Sequence, residues 1–471
     1  MKRSLFAFGL IIFAYSCTQD FGKINTNPNE PATATGSLLL RTAIFDLSNL
    51  LVSETYGFND IVAQYTAYYE YNQLDIYNWT SDARFWPLYD YMQDIKDVKA
   101  YGIDNNLPNY EAAALILETF AYSILTDAYG DVPYTESNRA EDGIIAPAYD
   151  TQEAVYTGML AALERANSII EPGSAIDGDI LYGGDMSSWK KFANALRARL
   201  LMRISNVRDV STALQAIADN PGQYPVFENT ADGAIYYYSG KAPDISPYSS
   251  GIGREYEYFL GVPTTHFINL LLQNDDPRIH EWLGYHRAGD GSLEYIGVAP
   301  GLTQGDIGRP VDYSSKDTSY FAEPAKINAV YMSYSELCFI FAEASARGII
   351  SGDAKGWYEA GVRSSFEQWG VAMPGDFLTV TAPYNPGDLN GLYEQKWLAL
   401  YHSGMEAWFD WKRTAKPDFI QAGPGNVNNG QVPVRLMYPS LEQSVNAANY
   451  QAAAAHIGGD NINTRVWWDR K

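Results

Sequence analysis

The chain is poor in the residues that build metal sites, disulfides and thiol chemistry. Its 471 residues hold two cysteines, Cys17 and Cys338, and five histidines. A disulfide-stapled fold is excluded on numbers alone, and little remains for thiolate or imidazole ligation of a metal. Cationic residues are scarce too: 33 Lys and Arg stand against 56 Asp and Glu, a formal charge of −23. Such a chain does not neutralise a phosphate backbone, and it has no electrostatic affinity for an anionic membrane surface. No apolar run after the N-terminus is long enough to span a bilayer.

Catalytic motifs are missing as well. The stretch HEWLGYH at 280–286 resembles a zinc-protease helix only at first sight, because the second ligand would fall on Gly284. No serine sits in a G-x-S-x-G elbow, and neither Gly-Lys pair has the phosphate-cradling pattern. A glycosidase needs two carboxylates about 5–10 Å apart, and a chain this acidic offers too many pairs for any to be informative. Asn385, Asp388 and Asn390 lack the closing Glu of a calcium loop. No cofactor is expected, and a structural calcium ion stays unassigned. Cys338 lies inside an apolar helical run, which makes it a small core residue rather than a reactive thiol.

At the N-terminus, Lys2 and Arg3 precede the apolar run 5–15 and then Ser16 and Cys17. This is the anatomy of a secretory signal, and a cysteine directly after it resembles the lipobox of bacterial lipoproteins. The expectation is cleavage after residue 16, acylation of Cys17 and a polar, breaker-rich tether over 17–36. A single domain then follows over 37–471.

What is abundant is helical periodicity and aromatic rings. Helices are expected over 38–52, around the aromatic-rich 61–71, and over 85–101, 110–129, 189–205 and 210–218, with one more opened by Asp150 and Glu153 as a capping box. The clearest pair spans 333–369. Ser333 and Glu336 form a capping box there, Gly348 stops the first helix, and Ser351 or Asp353 caps the second. Short-linked helices of this length fit the tetratricopeptide type of repeat, about 34 residues per unit. Between 223 and 328 the periodicity fades into Gly, Pro, Ser, Asp and Tyr, and only 264–273 reads as helix. A loop region of this length inside one domain usually serves function. A strong helix at 389–401 and a loop-rich tail complete the chain.

The chain carries 36 Tyr, 19 Phe and 11 Trp, more than a core needs. Trp189, Trp357, Trp369, Trp397 and Trp408 lie at helical spacing and are read as structural. An aromatic ring in a loop can instead lay its face on the C–H face of a sugar, with polar neighbours bonding the hydroxyls. On loop placement the candidate ligand residues are Tyr77, Trp79, Tyr237, Tyr256, Trp282, Tyr285 and Tyr313.

Several stretches together resemble one family, the SusD/RagB-like nutrient-binding outer-membrane lipoproteins of Bacteroidota. They are LTDAYGDVPYTE at 125–136, SYSELCFIFAEASARG at 333–348, QKWLALYHSGMEAWFDWKRT at 395–414, and a tail with PVRLMYP, Asn446, Asn449 and TRVWWD. The landmarks run through essentially the whole chain. The resemblance implies an all-α, tetratricopeptide-like helix-pair scaffold with a large loop-rich ligand-binding region. It implies a non-catalytic protein, lipid-anchored at the cell surface, that captures oligosaccharides for a TonB-dependent SusC/RagA-like outer-membrane transporter. A peptide ligand, as in RagB-like members, is the alternative, and a surface glycoside hydrolase a more remote one. The family's site residues vary between members, so none is transferred by position.

Overall fold

The computed structural model describes residues 35–68, 73–249, 261–303 and 312–470. The expected signal, Cys17, nearly all of the tether and Tyr256 lie outside them. The described chain is mainly α-helical, with three two-stranded antiparallel pairs.

The N-terminal helices are α1 (Gly36–Glu54), α2 (Leu88–Asp104), α3 (Pro108–Tyr129), α4 (Gln152–Ile169), α5 (Met186–Arg203) and α6 (Ser211–Asp219). From α2 onward each packs on the next, and α1 lies against α2. Helix α3 is buried around almost its whole circumference. Its run of Ala112, Ala113 and Ala114 gives neighbouring helices no bulk to clear, so it forms the centre of the array.

The loop-rich stretch holds β2 (Ala234–Tyr236), β3 (Gly261–Pro263), α7 (Thr265–Gln273), α8 (Ile279–Trp282), β4 (His286–Arg287), β5 (Leu293–Glu294), α9 (Thr318–Phe321) and β6 (Ala329–Met332). Strand β2 pairs with β6, so this stretch is tied to the scaffold at both ends. Strand β3 pairs with β1 (Thr66–Tyr68), in a segment whose aromatic pattern had suggested another helix.

The C-terminal helices are α10 (Tyr334–Ala346), α11 (Ala354–Gln368), α12 (Asn390–Ala399), α13 (Glu406–Thr414), α14 (Ser440–Val445) and α15 (Ala447–Ile457). The pair α10 and α11 is as the sequence predicts. Ser333 Oγ accepts from Glu336 N at 3.1 Å, Asp353 Oδ1 accepts from Gly356 N at 2.9 Å, and Gly348 turns the chain at φ +69°. Gly361 lies so close to the Phe339 ring that an added Cβ would sit 3.0 Å from it, hence the absence of a side chain at this crossing.

Three local expectations fail because tertiary partners outcompete local ones. The Glu336 carboxylate does not reach back to close the capping box; it receives Arg199 Nε and Nη2, each at 2.6 Å. Asp150 is not the cap of α4. Its carboxylate accepts from Tyr134 N and Thr135 N, and Thr151 caps the helix instead. The segment around 61–71, expected as a helix, instead carries strand β1, held by its pairing with β3.

A buried charge network knits the C-terminal helices together. Glu343 of α10, wholly enclosed, accepts from Arg413 of α13 at 2.6 and 2.5 Å, and Lys396 of α12 lies 3.4 Å away. Burial pushes the Glu343 carboxyl up, but Arg413 and then Lys396 outweigh it and hold it below its ordinary value. Cys338 is enclosed in the same helix, and burial pushes its thiol up to about 12, so it carries no thiolate chemistry at neutral pH.

Candidate functional site

The site is built on three lateral segments at 283–287, 293–298 and 313–316. Gly284 N donates to Ser315 O at 2.9 Å, and Ser314 N donates to Ile296 O at 2.8 Å. Strands β4 and β5 pair His286 with Glu294 and Arg287 with Leu293. Between them the chain reverses over Ala288 to Ser292, with Gly291 at φ +90°, a backbone region favouring glycine. Extending that register by one pair brings Tyr285 opposite Tyr295.

The two tyrosine rings lie 4.5 Å apart between centroids at an interplanar angle of 31°. His280 completes the group: its Nδ1 is 2.8 Å from the Tyr295 hydroxyl and 3.3 Å from that of Tyr285. Tyr285 is 50% exposed, so its ring is available to solvent. Burial, followed by the hydrogen bond to Tyr285, pushes the Tyr295 phenol up, which keeps it a neutral hydroxyl at physiological pH. Tyr313 is half-buried on the adjoining segment, against Ala67, Val262 and Val298 of β1, β3 and their neighbour. The arrangement is an aromatic platform with neutral hydroxyls at its edge, chemistry that suits a polyhydroxylated ligand.

The other sequence candidates fall elsewhere. Trp282 does not reach the platform. Helix α8 directs Ile279 and Trp282 inward and His280 outward, and the Trp282 ring is fully enclosed between Phe267 at 5.5 Å and Trp369 at 5.3 Å. Such a ring offers no face to a ligand. Tyr77 is also buried, with its hydroxyl accepting from Gln64 Nε2 at 3.1 Å. Trp79 is half-buried; its indole N–H donates to Leu74 O at 3.0 Å, and its ring packs on Phe58 at 5.3 Å and Trp408 at 6.0 Å. It is chiefly a packing residue of its loop. Tyr237, directly after β2, is 63% exposed between the buried Tyr236 and Tyr238, and it lines a separate pocket with Ile235, Val330 and Gln368.

Tyr295 was missed at the sequence level. The Asp290-Gly291 dipeptide between short polar-aromatic runs is a hairpin signal, and it could have placed Tyr295 across from Tyr285. Among the described residues no group of three or more His, Cys, Asp or Glu side chains is arranged to hold a metal ion. Asn385 and Asp388 serve as turn acceptors, for Gly387 N and Asn390 N respectively. No described helix is long and apolar enough to cross a membrane.

Helix pairs that carry a loop-rich stretch with a tyrosine pair at its surface define a mainly α-helical scaffold class. A family model described as SusD-like, starch-binding associating with outer membrane, matches residues 28–439, and the chain belongs to this SusD-like family. Among solved structures it is similar to an outer-membrane protein of Bacteroides vulgatus whose description names nutrient binding, with 25% identity and a TM-score of 0.81 over 93% of this chain and 100% of that one. A chitin-binding protein matches with 25% identity, a TM-score of 0.81 and the same coverage of 93% and 100%. A SusD homologue of Bacteroides fragilis shares the fold at 23% identity and a TM-score of 0.79, again over 93% and 100%. No curated protein matches the chain significantly.

Proposed function

We propose that the protein is a non-catalytic, cell-surface glycan-binding lipoprotein that captures oligosaccharides and hands them to a TonB-dependent SusC-like transporter in the outer membrane. The single observation that carries the ligand class is the Tyr285–Tyr295 platform, whose rings lie 4.5 Å apart beside an exposed face. Sugar C–H faces stack on such rings, and the hydroxyl groups at the platform's edge exchange hydrogen bonds with sugar hydroxyls. Membership of a starch-binding, outer-membrane-associated family and the likeness to a chitin-binding protein support the same class. Acylation at Cys17 supplies the anchor, and several acyl chains on one cysteine would hold the protein where one would not. The helical array, away from the platform, is the surface that would face the transporter.

The test is calorimetric titration of the purified protein with a panel of glycans and with peptides, followed by chromatography of the recovered glycans. Binding to a glycan that is recovered intact is expected. Response to peptides alone would overturn the ligand class, and cleavage products would overturn the non-catalytic assignment.

A further inference from the structure

A second feature of the molecule is a cleft of about 510 Å³, walled by the last turn of α13, by the 420–434 loop and by residues 463–465. Its residues are outside the platform group. Most tryptophans of the core have their indole N–H committed: Trp189 donates to Asp179, Trp397 to Ala63 O, Trp408 to Pro433 O and Trp468 to Asp127. Trp411, like the enclosed Trp282, has no hydrogen-bond partner for its indole N–H among the described residues, but Trp411 lies half-buried on the edge of α13 and lines the cleft. The amphipathic helix explains its position, since Trp408, Phe409, Lys412 and Arg413 take the inward faces.

Around Trp411 the cleft presents Gln421, Gln431, Asn463 and Arg465. Gln431 is exposed, and its side-chain amide is likewise uncommitted among the described residues. The wall that holds it is fixed by its own asparagines. Asn426 Oδ1 accepts from Asn428 N at 3.0 Å and Gly430 N at 2.7 Å, Asn428 Nδ2 donates to Gln431 O at 2.9 Å, and Asn428 and Asn463 exchange amide bonds at 2.8 Å in both directions. The same loop is anchored outward, through Val427 N to Ile76 O at 2.9 Å and Gly425 N to Gly301 O at 2.7 Å. Binding here therefore orders little additional chain, which keeps the entropic cost small.

From this geometry we infer that the Trp411 cleft is a second saccharide-binding subsite, one that takes a neutral sugar unit of an oligosaccharide. The inference rests on the glycan-binding reading above. The half-buried indole beside the uncommitted Gln431 side-chain amide matches a pyranose, with its C–H face on the ring and its hydroxyls on that amide. Charge decides against an anionic sugar. Among the described residues the one cation lining the cleft is Arg465, which already pairs with Asp469 at 2.7 Å. Engaging one long chain at two positions raises avidity beyond either contact alone.

The test uses the full chain with Tyr285→Ala and Tyr295→Ala combined, to remove the platform, and a linear chitin hexasaccharide and a linear maltoheptaose as probes. Binding of at least one probe should persist in this background by calorimetry, and adding Gln431→Ala or Trp411→Phe should weaken it by about five-fold or more, the scale of one lost stacking or amide contact. Gln431→Ala is the decisive variant, because its exposed side chain supports nothing in the fold. Residual binding unchanged by both substitutions, or no residual binding while the unmodified protein binds a probe, would overturn the subsite and leave the glycan-binding reading standing. Failure of the unmodified protein to bind any glycan would overturn both.

Discussion

Glu343 shows how much of this protein's stability rests on single enclosed charges. Its carboxylate accepts from Arg413 and lies near Lys396, and Arg347 also reaches it at 3.1 Å. Glu343→Gln leaves the buried Arg413 and Lys396 with Asp410 as their remaining counter-charge, and weakening a buried cluster in this way costs up to about 3–5 kcal/mol. Urea unfolding at neutral pH should show that loss, and a shift below about 1 kcal/mol would mean the cluster is not a stability element. The same cluster sets the acid limit. Burial pushes the Asp410 carboxyl up, but Lys396 and Arg413 outweigh it and hold it, like Glu343, below its ordinary value. Groups lowered in the folded state contribute fully above the ordinary carboxyl range, about pH 4–4.5, and their contribution is lost as the pH falls further toward the folded values. Melting temperature recorded down the acid side should therefore fall less steeply for Glu343→Gln than for the unmodified protein. At the residue scale the sequence could show that Ser333 caps a helix, since that bond is local. It could not show that Glu336 belongs to Arg199 or Glu343 to Arg413, because those partners are brought together only by packing.

Among the elements, helices were legible and their connections were not. The pair α10 and α11 and the spans of α3 and α5 are legible because long apolar runs bounded by capping and breaking residues are written in the chain, even where, as in α3, burial extends around almost the whole helix. Strands of two to four residues carry no such signal, and β1 took the place of an expected helix by pairing with β3. The same limit affected the candidate ligand residues. Loop position suggested exposure for Trp79, Tyr77 and Trp282, yet helix α8 turns Trp282 inward and the turn over 73–79 folds Tyr77 and Trp79 away from solvent. Trp79→Ala should accordingly lower stability by at least about 1.5 kcal/mol, given its packing on Phe58 and Trp408. Differential scanning calorimetry would check this; an unchanged melting temperature would return Trp79 to the set of free ligand-facing rings.

For the whole molecule, the helical array and the loop-rich stretch have separate duties. The array supplies a rigid body whose interior is closed by aromatic stacking and ion pairs, while the loops present the tyrosine platform on hydrogen-bonded segments. The excess of acidic over basic residues fits a neutral rather than an anionic ligand. The most direct measurement of this account is calorimetric titration of the unmodified protein and the Tyr285→Ala, Tyr295→Ala double variant with the same glycan that binds best in a panel. The account predicts at least about a ten-fold loss of affinity, equivalent to 1.4 kcal/mol, with the melting temperature preserved. Equal affinities for the two proteins would contradict it.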